Sequence, residues 1–182
     1  MKRLFHLAIT LLVSVAMLMI ACKKDEVKPD NNGNNNNQET PGGGGGTVAD
    51  YVDLGLPSGT KWKSANEEGD ENGFYTYDQA MNAFGDNLPT KEQMEELKDN
   101  CTWEWQNEGY KVTGTNGNSI FLPAEGCRYC EGEVDNVGYV GYYWPSTPYD
   151  SENAWYLGFA SGGVFVYSHE RCYGHSVRLV QK

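Results

Sequence analysis

Hydrophobic positions along this chain repeat at two periods, and the switch between them sets the predicted order of elements. Tyr51-Val52-Asp53-Leu54 reads as a short strand, followed by a Pro57-Ser58-Gly59 turn and Lys61-Trp62-Lys63. Over residues 77–84 the period lengthens, and Ala80, Met81 and Phe84 fall on one face of a short helix. A second helix opens at Leu88-Pro89-Thr90. There Thr90 and Gln93 form a capping-box pattern, and Met94, Leu97 and Cys101 follow at helical spacing. Beyond it the period returns to two. Residues 110–115 and 118–122 flank Asn116-Gly117, the strongest short hairpin signal available. Residues 154–160 and 164–168 flank Gly162-Gly163 as a second hairpin. In it Trp155, Leu157 and Phe159 alternate onto one face, expected to be buried, and Tyr156 onto the outward one. Residues 176–180 read as a closing strand. One strand, two short helices and then mostly antiparallel strands and hairpins predict an α+β fold rather than a βαβ repeat.

Upstream of residue 48 the pattern changes character. Lys2 and Arg3 precede an apolar run over residues 5–20, broken only by His6, Thr10 and Ser14. That run is short for a spanning helix, which needs about 20 apolar residues, and it reads as an export signal over residues 1–21. It ends at Met19-Ile20-Ala21-Cys22, which resembles a bacterial lipobox with Met19 in place of the usual Leu. The resemblance implies that Cys22 carries lipid and begins the mature chain. Lys23-Lys24-Asp25-Glu26 resembles the surface-export signal of Bacteroidota lipoproteins. The linker that follows is rich in Asn and then in Gly; residues 22–47 together cannot bury a core and form a tether. These features predict a lipid-anchored protein on the outer membrane, exposed at the cell surface. The domain then occupies residues 48–182.

Composition narrows the function classes. The chain of 182 residues holds 14 Lys and Arg against 25 Asp and Glu, a net charge of −11. No basic stripe exists to displace counterions, so nucleic acid is excluded as a partner. The same charge disfavours electrostatic docking on an anionic bilayer, leaving the N-terminal lipid as the membrane contact. All 12 Tyr and all 5 Trp lie beyond residue 48. The domain is therefore rich in rings.

Six stretches together resemble one family. They are Tyr51-Val52-Asp53-Leu54-Gly55-Leu56-Pro57-Ser58-Gly59, Leu88-Pro89-Thr90-Lys91-Glu92, Asn100-Cys101-Thr102-Trp103, Gly117-Asn118-Ser119-Ile120-Phe121-Leu122-Pro123-Ala124, Gly141-Tyr142-Tyr143-Trp144 and Gly174-His175-Ser176-Val177-Arg178-Leu179-Val180. In this order they look like the Fibrobacter succinogenes major paralogous domain, common in Bacteroidota surface lipoproteins. That family is similar to the C-type lectin-like fold, shared with formylglycine-generating enzymes and with variable proteins of diversity-generating retroelements. The resemblance implies paired N- and C-terminal strands and a binding scaffold; fold alone does not fix function. The Glu-Pro-Asn and Trp-Asn-Asp signatures of calcium-dependent lectins are missing. Where relatives carry a plain Gly-Tyr-Arg, this chain reads Gly126-Cys127-Arg128-Tyr129-Cys130. Retroelement variable proteins diversify a C-terminal stretch of this fold, and the mixed chemistry of residues 164–175 is what such a loop would look like.

An exported domain permits disulfides. A bridge from Cys172 to either Cys127 or Cys130 is favoured, with Cys101 a buried free thiol. His169, Cys172 and His175 recur every three residues, with Cys127-x-x-Cys130 upstream. A spacing of three puts strand neighbours on opposite faces, so no metal ligand is assigned. Glu131, Glu133, Asp135, Asp150 and Glu152 sit in no recognisable catalytic frame, and Ser146 and Ser168 lack an elbow context. No catalytic residue and no cofactor is assigned. The binding candidates are Tyr149, Asp150, Glu152, Asn153, Tyr156, Tyr167, His169, Arg171, Tyr173 and His175. Tyr among adaptable polar residues gives large rigid contact area at low entropic cost. The function expected is non-catalytic binding of an extracellular glycan or protein, with a structural, pilus- or adhesin-associated subunit as the alternative.

Overall fold

The computed structural model describes residues 50–69 and 73–182. The predicted signal peptide, Cys22, the export signal and the linker lie outside the described residues. In chain order the elements are β1 (Tyr51–Asp53), β2 (Lys61–Lys63), α1 (Tyr77–Phe84), α2 (Lys91–Asn100), β3 (Thr102–Gln106), β4 (Gly109–Thr113) and β5 (Ser119–Pro123). They continue with β6 (Cys127–Arg128), β7 (Val134–Asp135), β8 (Val140–Tyr143), β9 (Asn153–Ala160), β10 (Gly163–Glu170) and β11 (Val180–Gln181). The fold is α+β, with antiparallel sheets β1-β2-β11, β3-β4-β5, β8-β9-β10 and β6-β7. No helix among the described residues is long and apolar enough to cross a membrane.

Both helices start where their caps dictate. Thr90 accepts from the Gln93 backbone N–H while the Gln93 side chain accepts from Thr90 N–H, so two otherwise orphaned donors are satisfied. Thr76 and Gln79 form the same box at α1, a pattern the sequence reading passed over. Both expected hairpins are present, β4–β5 around Asn116-Gly117 and β9–β10 around Gly162. A further strand, β3, precedes the first hairpin and turns into it through Asn107 and Glu108, both at positive φ (48° and 56°).

Two expectations are corrected. The N- and C-terminal strands do not pair with each other: β11 bonds β2 at Val180↔Trp62, and β2 lies between β1 and β11. The closing strand is also shorter than residues 176–180. Ser176 bridges Tyr143 and His175 bridges Tyr75, so the chain is drawn past β8 and α1 before it reaches β2.

Sheet β8-β9-β10 organises the interior because both of its faces are used. One face turns Tyr143, Leu157 and Phe159 into a core with Leu54, Trp62, Met94, Leu97, Val112 and Leu122. On the other, Ala154 joins Trp144 in a second core with Tyr77, Ala80 and Leu88, which covers only the end of the sheet nearest α1. Arg178 ties the C-terminal segment across these layers. Its Nε donates to Asn66 Oδ1 at 2.8 Å, Nη1 to the Lys63 carbonyl at 2.9 Å and Nη2 to the Phe121 carbonyl at 2.8 Å.

Candidate functional site

Strand register assigns the second face of β8-β9-β10 residue by residue. Tyr142 lies opposite Gly158, Gly158 opposite Phe165, Tyr156 opposite Tyr167 and Ala154 opposite His169. Opposed residues share a face, so Val140, Tyr142, Ala154, Tyr156, Gly158, Phe165, Tyr167 and His169 all point the same way. None of these side chains is Asp, Glu, Lys or Arg, in a chain of net charge −11. Tyr142, Tyr156 and Phe165 are half-buried and Tyr167 is 64% exposed. The rings touch edge-on or tilted, Tyr142 to Tyr156 at 5.6 Å, Tyr156 to Phe165 at 6.1 Å and Phe165 to Tyr167 at 6.0 Å between centroids. Gly158 permits this paving. A Cβ there would fall 2.2 Å from Phe165 Cε2 and 2.8 Å from Tyr156 Cε2, so only glycine lets both rings lie over the strand.

Where the face meets the second core, two histidines join. His169 Nδ1 and His175 Nε2 are 3.1 Å apart. His175 is fully buried, stacked on Trp144 at 3.8 Å, and its Nδ1 has no partner. Burial, then the neighbouring His169, pushes the His175 pKa well below 6.5. Burial also lowers that of His169. Both rings are therefore neutral at pH 7, and the face stays uncharged. Burial raises the Tyr142 phenol to about 12 and raises Tyr156 as well, so neither ionises there.

The ten predicted contact residues divide into two groups. Tyr156, Tyr167, His169 and Tyr173 converge on the ring face, with Tyr173 stacked on His169 at 3.7 Å. His175 belongs with them but lies beneath, so it supports the rings without reaching solvent. Residues 168–173 are also more ordered than a loop, because β10 continues to Glu170. The second group gathers at the open end of the hairpin. Asp150 accepts from the backbone of Glu152 and Asn153 and from the Asn153 amide, which lowers its pKa and marks it as a turn residue. The Arg171 N–H donates to the Glu152 carbonyl, and its guanidinium lies over the Tyr77 ring and 3.4 Å from Asp78. Tyr149, 54% exposed, meets Trp155 edge-on at 5.0 Å. Trp155 is half-buried rather than buried, because it sits at the sheet's end with Lys91 Nζ 4.7 Å above it. Tyr142 and Phe165 were missed as contact residues. The signal for Tyr142 was the Gly-Tyr-Tyr-Trp run, whose alternation sends Tyr142 and Trp144 to one face and Tyr143 to the other.

Of the cysteine candidates, Cys130 and Cys172 form the disulfide, with Cα atoms 5.1 Å apart. Cys127 is not part of it; it is a buried free thiol raised to about 11 by burial. Cys101 is free and half-buried, also raised to about 11. Glu170 completes the one group of potential metal donors among the described residues, but its other two members are the joined sulfurs. The bridge clamps the rim of the face: it ties the loop bearing Tyr129 to the turn bearing Tyr173, whose rings meet at 5.6 Å.

A cleft of about 630 Å³ lies elsewhere, lined by Asn66, Glu67, Phe121, Glu125 and Arg178 among others. Its central polar groups already pair with one another. Asn66 and Ser176 both donate to Glu125, and Arg178 donates to Asn66. The ring face is therefore the stronger candidate.

Comparison with known proteins gives one family. A domain of unknown function, DUF8237, matches residues 88–180. That span runs from the start of α2 to the start of β11 and includes the whole ring face. No curated protein and no solved structure matches the chain.

Proposed function

We propose that this chain, which belongs to the DUF8237 family of domains of unknown function, is a non-catalytic binding protein held at the cell surface by lipid on Cys22. Its binding surface is the face of β8-β9-β10 that bears Tyr142, Tyr156, Phe165, Tyr167 and His169. The observation that carries this reading is an uncharged, ring-paved, partly exposed sheet face on a strongly acidic protein. Surface rings that still present area to solvent mark contact sites, and half-burial against their neighbours fixes them before a ligand arrives. We read the fold as C-type lectin-like. Two helices ahead of a run of antiparallel strands, and first and last strands in one sheet, support that reading.

The test is to probe the full chain against glycan and host-surface-protein arrays, with calcium and with chelator, beside a Phe165→Ala/Tyr167→Ala double variant. Binding lost in the variant supports the face; binding that survives moves the site elsewhere. Membrane fractionation tests the anchor: the wild type sediments with outer membrane, and Cys22→Ala moves to the soluble fraction.

A further inference from the structure

We propose that the ligand of this face is a neutral glycan chain, its pyranose rings lying against Tyr142, Tyr156, Phe165 and Tyr167; the inference rests on the binding role argued above. Three observations select that chemistry. First, the eight residues assigned to this face carry no formal charge, and His169 is held neutral. The side chains of the face itself offer an acidic polymer no cation, and the nearest carboxylates, Asp135 toward Tyr142 and Glu170 beside His169, stand at its edge. Second, the face presents the phenol hydroxyls of Tyr142, Tyr156, Tyr167 and Tyr173. A purely apolar partner surface would bury these hydroxyls unsatisfied, each at a desolvation penalty. A sugar offers hydroxyls to pair with them and axial C–H bonds to lie on the ring faces, whose quadrupole is negative.

Third, the geometry is an open, ridged surface rather than a pocket, with neighbouring rings set at 39°, 88° and 64° to one another. Gly158 lets the Phe165 and Tyr156 rings lie over the strand. Phe165, Tyr167 and His169 alternate along β10 over about 13 Å, and three strands span about 10 Å across. That area takes roughly two or three pyranose rings, the reach of a chain lying along a surface rather than a single sugar in a pocket. The disulfide between Cys130 and Cys172 bounds one side by fixing Tyr129 against Tyr173.

Affinity electrophoresis of the full chain tests this, in gels cast with laminarin, mannan, xylan or dextran, and with alginate and polygalacturonate as acidic controls. At least one neutral polysaccharide should retard the protein, and about 0.5 M salt should leave the retardation in place, because no charge pair is screened. Tyr167→Ala should weaken it roughly tenfold, the loss of one stacked ring. Tyr142→Phe and Tyr156→Phe, which keep the ring and remove the hydroxyl, should each weaken it by about three- to fivefold. Tyr167 is largely exposed, so its alanine variant keeps the wild-type melting temperature. Retardation by none of the neutral polymers, retardation by acidic polymers alone, or neutral retardation indifferent to Tyr167→Ala overturns the proposal. If array binding to a protein is lost in the Phe165→Ala/Tyr167→Ala variant while no neutral polymer retards the chain, the glycan inference falls and the binding face stands. Binding that ignores both sets of variants removes both.

Discussion

Arg178 is 2% exposed and spreads one guanidinium over three acceptors in two separate segments, residues 63–66 and Phe121. The sequence marked it only as part of the closing Gly-x-Ser-Val-Arg run; its role as a buried clasp depends on partners far along the chain. Arg178→Ala leaves two carbonyls and an amide oxygen unpaired in the interior, and should lower stability by about 3–5 kcal/mol in urea melts. Arg178→Lys should recover little, because an ammonium cannot reproduce the planar fork. His175 supplies the opposite kind of residue-scale effect, one that depends on pH. Its folded pKa is held well below 6.5, while the unfolded chain titrates near 6.5. Below pH 6.5 the unfolded chain takes up a proton that the folded protein refuses, so stability is full above that value and falls as pH drops. The slope is at most about 1.4 kcal/mol per pH unit for each histidine. His175→Phe keeps the stack on Trp144 and removes the titration. Urea midpoints at about pH 5 and about pH 7.5 should therefore lie closer together in the variant than in the wild type. Equal gaps in both would assign the acid sensitivity elsewhere.

Elements announced by local chemistry were legible, and those made by long-range pairing were not. The α2 capping box and the Asn-Gly and Gly-Gly turns act within a few residues, so the reading located α2 and two hairpins. Strand β3 escaped because it turns through Asn107-Glu108, which lacks the glycine that marks such a loop. Two central residues at positive φ define a type I′ turn, where Asn is favoured and Glu is strained. Glu108→Gly creates the preferred Asn-Gly pair. It should raise the unfolding free energy by a few tenths to about 1 kcal/mol, and the denaturation midpoint with it, the relief of left-handed strain less the added unfolded-state entropy of glycine. A lower midpoint would show that the Glu108 side chain contributes more than its backbone strain takes away. Strands β6 and β7 have two residues each and exist only where neighbours meet them, so no periodicity could announce them.

Across the whole molecule, the chemistry of the binding residues was legible and their convergence was not. Tyr167, His169 and Tyr173 stood out as paratope-like. Which of the ten candidates share a surface depends on β8 joining β9 and on the hairpin's open end turning toward α1. The Cys130–Cys172 bridge closes 42 residues of chain and spans the two loops that frame the ring face. Loop-closure entropy for that length amounts to roughly 4 kcal/mol. Reductant, or Cys172→Ser, should lower unfolding free energy by about 2–4 kcal/mol and leave the near-neutral midpoint otherwise cooperative; no change would mean that the rim holds without its clamp. The shared position of β1 and β11 on either side of β2 has a different consequence, for engineering rather than stability. Tyr51 and Gln181 face Lys63 and Lys61 on the same middle strand, which puts the first and last strands of the described domain on the order of 12 Å apart. A short peptide could join them, and the chain could be reopened at the exposed Ser161-Gly162 tip. Such a circular permutant would keep every strand pairing but leave the molecule from the hairpin tip beside the rings. The same domain could then be hung from a host protein in the reverse orientation, as an interchangeable cartridge.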